Sequence, residues 1–127
     1  MNELTAEWIA KAEGDYATAS RELRVEEMPN FDAVCFHAQQ TSEKYLKALL
    51  QENGIAFPKT HSLIELLELC LDFDASFETF RADLIRLERY AVHYRYPGET
   101  ANKAEAQTAH EAVTTIRAAL KLKLENS

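Results

Sequence analysis

A chain of 127 residues, 46% of them hydrophobic, can bury its own core without metal or disulfide support, and one domain spanning residues 1–127 is expected. The net charge of −7 argues against a surface that coats nucleic acid as a whole, because that affinity comes from counterions released by Lys and Arg. No run of about 18 apolar residues is present to cross a bilayer and the N-terminus has no basic-then-apolar leader pattern, so a soluble, cytoplasmic protein is expected.

Glycine and proline number three each, while residues that lose least on entering a helix abound, so an all-α fold follows. The first helix is predicted over Thr5 to Arg24, with Trp8, Ile9, Ala12, Tyr16, Ala19 and Leu23 on one side. Met28-Pro29-Asn30 breaks the pattern, and Asn30 or Asp32 can cap the next helix. That second helix should reach about Asn53 and close at Gly54. Its core is read as Val34, Ala38, Thr41, Tyr45, Ala48 and Leu49, helped by Leu46 and Phe36, while Glu43, Lys44 and Lys47 read as a charged face with structural pairing. The connector through Pro58 turns the chain, and His61 is expected to order it by bonding to backbone. Ser62 and Glu65 have capping-box spacing and open a short helix through Leu63, Leu66, Leu67, Cys70 and Leu71 that stops near Asp72. A main helix runs from about Ser76 to just before Pro97-Gly98. The last helix, Lys103 to Leu124, is capped by Asn102 with Glu105 and buries Ala106, Ala109, Val113, Ile116 and Leu120, with His110 on its surface. Four long helices plus one short inserted helix, joined by short connectors, predict an up-and-down bundle.

The unusual chemistry lies on the main helix. Phe77, Phe80, Leu84, Leu87, Ala91 and Tyr94 step by threes and fours and make one apolar stripe, which turns Arg86, Arg89 and His93 to the opposite side. Beside them runs a second strip, Ile85, Val92 and Tyr96, that a helix packed on one side has no reason to carry and that reads as a contact surface. An imidazole can move a proton near neutrality and a guanidinium can steady a phosphate oxygen through paired hydrogen bonds. Arg86 and Arg89 precede His93 by two turns and one, so the three can meet one small ligand. A solvated basic face is the competing reading. Tyr90, Tyr94, Tyr96 and Arg95 read equally as amphipathic packing at the bundle end.

Elsewhere the signals are negative. Cys35 and Cys70 have no metal-like spacing and are expected to be reduced, packed thiols; His37, His61 and His110 make no metal pattern. Neither a glycine-rich phosphate loop nor a nucleophile elbow occurs, and no cofactor is expected.

The segments Phe36-His37-Ala38-Gln39-Gln40-Thr41-Ser42-Glu43-Lys44-Tyr45-Leu46-Lys47-Ala48-Leu49-Leu50, Pro58-Lys59-Thr60-His61-Ser62-Leu63, Tyr90-Ala91-Val92 and Arg95-Tyr96-Pro97 together resemble the HEPN domain, named for nucleotide binding in higher eukaryotes and prokaryotes. The resemblance spans nearly the whole chain and implies a helical bundle, usually a homodimer. Many HEPN proteins are metal-independent ribonucleases with an arginine, four to six residues, then a histidine, in a cleft across the dimer; others accompany a small nucleotidyltransferase as toxin and antitoxin. Arg86 and His93 fit that motif as catalytic residues, with Arg89, Tyr90, Arg95 and Tyr96 expected to bind the RNA or a mononucleotide. Leu87 follows Arg86 where active members tend to carry a polar residue. The resemblance therefore also admits a non-catalytic module that dimerises and binds a nucleotide or a partner protein.

Overall fold

The computed structural model describes residues 1–126, and every regular element among them is helical. The order is α1 (Glu3–Arg24), α2 (Phe31–Glu52), α3 (Leu63–Leu71), a 3-10 turn (Ala75–Phe80), α4 (Arg81–His93) and α5 (Lys103–Glu125). Local chemistry sets most boundaries. Asn2 accepts from the Thr5 N–H at 2.8 Å to start α1, and Asn30 accepts from the Ala33 N–H at 3.0 Å to start α2. Gly54, at φ +68°, follows the end of α2 in a conformation that a side chain would strain. Asn102 and Glu105 exchange side-chain bonds with each other's backbone N–H and open α5 with a complete capping box. At α3 the box is only half made. Ser62 accepts from the Glu65 N–H, but the Glu65 carboxylate takes the Thr60 hydroxyl instead of the Ser62 N–H.

α2 is the hub, packed against α1, α3, α4 and α5. A helix enclosed this way buries polar positions too, so the structural pairing expected at 43–47 is present, but Glu43 and Lys47 make it inside the bundle and not on a charged face. Glu43 and Lys47 are 2% and 6% exposed and pair with each other at 3.1 Å, while Lys44 reaches Asp15 on α1 at 2.5 Å. Phe36, expected to help the core, is 37% exposed because it faces a groove between α2 and α4. On the other side, Arg117 of α5 grips Glu13 of α1 with two bonds of 2.6 Å, and the fully buried Tyr45 donates to the same carboxylate at 2.8 Å. His110 is no surface residue. It stacks on Tyr16 at 5.3 Å with Nε2 2.8 Å from the Ser20 hydroxyl.

The main helix differs at both ends from the expected Ser76–Tyr96 span. Asp74 accepts from the Ser76 N–H and winds the start into a 3-10 turn. At the far end, Pro97 disfavours a helical residue 96, and the Arg95 N–H falls back on the Val92 carbonyl at 3.4 Å. Tyr96 therefore sits in the turn after α4, with Gly98 at φ +95°.

Candidate functional site

Leu84, Leu87 and Ala91 of α4 are buried in the core, so helical geometry places Arg86, Arg89 and His93 outward, and all three are exposed. Arg86 and His93 lie two turns apart, a rise of about 10 Å along the axis. Neither Arg86 nor Arg89 pairs with a carboxylate among the described residues. The His93 ring is half exposed, its edge is against Tyr94 at 5.1 Å, and its Nε2 is 3.1 Å from the Glu99 carboxylate. Glu99 has no helical register with α4 and lies across the Pro97-Gly98 turn, so periodicity could not connect it to His93. Ile85 and Val92 are 40% and 54% exposed and leave an apolar strip uncovered beside the basic face, whereas Tyr96, 61% exposed, lies in the turn beyond the helix and out of its register.

The remaining expected residues disperse. Tyr90 is half-buried and tilts against Tyr94 at 5.7 Å. The Tyr94 hydroxyl donates to Glu105; burial and that carboxylate hold the phenol protonated well above its usual range, while the Tyr94 bond holds Glu105 below the usual carboxylate range. Arg95 turns toward α2 and places its guanidinium 5.9 Å from the Phe36 ring. Arg86, Arg89 and His93 thus share one face, with Tyr96 in the turn beyond it and Arg95 in the α2–α4 groove.

His61 contacts the protein differently from expectation. Its ring Nδ1 lies 3.1 Å from the Glu43 carboxylate, while its own carbonyl accepts from the Gln39 amide at 3.0 Å. The buried carboxylate one helix away competes better for the imidazole than connector backbone does. Glu88 of α4 accepts from the Leu63 N–H at 2.6 Å and so fixes the start of α3. The thiols of Cys35 and Cys70 are buried, which pushes each up to about 12 and leaves them unreactive near neutrality. Among the described residues no group of three or more His, Cys, Asp or Glu is arranged to hold a metal, and no helix is long and apolar enough to cross a membrane.

Two solved structures share this architecture. TT1696 from Thermus thermophilus is 25% identical, with a TM-score of 0.76, and the match covers 97% of this chain and 99% of that one. ST0689, an archaeal HEPN homologue, is 23% identical with a TM-score of 0.73, covering 97% and 98% of the two chains, and shows the shared fold. No curated protein matches the chain. The HEPN domain family model matches residues 5–126, nearly the whole length, and the chain belongs to the HEPN family.

Proposed function

We propose that the chain is a homodimeric, metal-independent endoribonuclease in which Arg86 and His93 act on a phosphodiester. The observation that carries this reading is that both side chains stand on one exposed face of α4 beside an uncovered apolar strip. His93 would take the proton of the RNA 2′-hydroxyl as that oxygen attacks the adjacent phosphorus, or give one to the 5′-oxygen as the P–O5′ bond breaks, leaving a 2′,3′-cyclic phosphate and a 5′-hydroxyl. Arg86 would hold the non-bridging oxygens through paired bonds, and Arg89 would hold a flanking phosphate.

Helical side chains lean toward the N-terminus, so His93 leans toward Arg86 while Arg86 leans away. A second copy closes that gap. Antiparallel α4 helices related by a two-fold near residue 89 set Ile85 beside Val92, and Arg86 beside His93, of the other copy. The same operation brings two Arg89 guanidinium groups together, an arrangement that a bound phosphate chain relieves.

The test is cleavage of end-labelled RNA in EDTA. Wild type should cut, and Arg86→Ala and His93→Ala should each lose on the order of 100-fold or more with unchanged circular dichroism. Cleavage that survives both substitutions overturns the reading. The Glu99 carboxylate on His93 Nε2 and the buried Leu87 favour a second reading, in which the same face binds a mononucleotide or a partner protein, such as a small nucleotidyltransferase of a toxin–antitoxin pair, without turnover. Calorimetric heat with ATP, ADP or AMP and no cleavage by wild type would select it.

A further inference from the structure

We propose that the groove between α2 and α4 is a second site, in which His61, oriented by the buried Glu43, and Arg95 bind the phosphate of a phosphate ester. This groove adjoins the Arg86–His93 face, with Val92 at the edge of both, but Arg86, Arg89 and His93 do not line it. It is a cleft of about 260 Å³ lined by Gln40, His61, Glu88, Val92 and Arg95 among others.

The geometry at Glu43 exceeds what packing requires. A carboxylate 2% exposed needs partners to offset its desolvation, and Lys47 at 3.1 Å with the Gln39 amide at 3.4 Å supplies them from its own helix. The His61 ring nevertheless sits on both Glu43 oxygens, at 3.1 and 3.3 Å, although its side chain is 85% exposed. It fills no core. A carboxylate that fixes Nδ1 sets the ring orientation and leaves Nε2 turned to solvent, which is how proteins hold an imidazole for a ligand. Gln39 adds a second restraint by donating to the His61 carbonyl.

Arg95 also lines the cleft; its guanidinium lies 5.9 Å from the Phe36 ring of the adjoining depression and pairs with no carboxylate among the described residues. Glu88 is the carboxylate of the cleft, and one of its oxygens is taken by the Leu63 N–H at the positive end of α3. His61 and Arg95 thus both line the opening, one offering an imidazole and the other a guanidinium, with Val92 as an apolar shoulder. That combination suits phosphate oxygens on an organic ester better than a carboxylate or a cation.

The phosphate could come from a mononucleotide or from an RNA strand, and three probes separate the sources: inorganic phosphate, AMP, and a short single-stranded RNA lacking terminal phosphate. Imidazole resonances of the four histidines, with His61 assigned by His61→Gln, are followed by NMR during each titration. The His61 signal should move saturably with at least one probe, and Arg95→Gln should weaken that response by about tenfold, the loss expected for one charge-assisted bond. A response to AMP and phosphate assigns a terminal monoester; a response to the RNA alone assigns internal diesters. A His61 signal unmoved by all three probes overturns the proposal, as does an identical response in Arg95→Gln. Arg95 is exposed, so its substitution leaves the core intact, and loss of RNA cleavage by wild type would leave these outcomes unaffected.

Discussion

Burial of His110 against Tyr16, with Arg24 nearby, holds its imidazole below the ordinary histidine value. The unfolded chain therefore takes up a proton here at a higher pH than the folded chain does. Stability contributed by this ring is fully present above about pH 6.5 and is lost as pH falls through the folded value. Urea unfolding should show the corresponding decline just below about pH 6.5, and His110→Gln should remove it; identical slopes in the two proteins would assign the titration elsewhere. Glu13 behaves similarly at lower pH. The Arg117 bonds outweigh desolvation and depress its carboxyl, so its stabilisation is present above its unfolded pKa and is lost as pH falls through the depressed one. Arg117→Met should cost about 2 kcal/mol at neutral pH and flatten the acid limb of the stability curve. Sequence periodicity gave the helix face of each residue but not its partner on another helix. Glu13 and Arg117 are 104 positions apart, and no spacing rule links them.

Helix ends that depend on their own residues were legible, because an Asn or Ser cap and a left-handed glycine act within one turn. Asn30, Gly54, Ser62 and Asn102 all stand where the sequence places them. The ends of α4 were legible only to within a turn, because Asp74 winds its first residues into a 3-10 turn and Pro97 unwinds its last, while distant groups hold the segments that flank it. Asp32, expected as an alternative cap for α2, instead accepts from the Ala101 N–H at 2.7 Å and ties the approach to α5 onto α2, while Tyr94 is held by Glu105. Glu105 thus closes the capping box with one oxygen and restrains the end of α4 with the other. Asn102→Ala should cost about 1 kcal/mol. In a chain of this size that is a fall of about 4 °C in Tm, readable by calorimetry. A shift below about 1 °C would mean that packing alone holds the start of α5.

At the scale of the molecule, the bundle buries one face of each outer helix and leaves Ile85 and Val92 uncovered beside the basic residues of α4. The core stripe and this spare strip were both visible in the helical spacing, since periodicity reports every apolar face whether or not the same chain covers it. What covers the strip requires a second molecule, and a single sequence carries no record of that. If a second copy covers it about a two-fold, Val92 meets Ile85 across the axis, and a charge at either position enters the contact twice. Val92→Lys should then convert the dimer to a monomer at micromolar concentration in sedimentation, with helicity retained because Val92 is 54% exposed in the isolated chain, and with Tm lowered only by the stabilisation that association supplied. The same substitution should abolish RNA cleavage although Arg86 and His93 are intact, and wild-type specific activity should fall on dilution below the dimer dissociation constant. A monomeric Val92→Lys that cuts RNA at the wild-type rate would show that one α4 suffices for catalysis. A wild type that sediments as a monomer at every concentration would remove the second copy from the proposed site altogether.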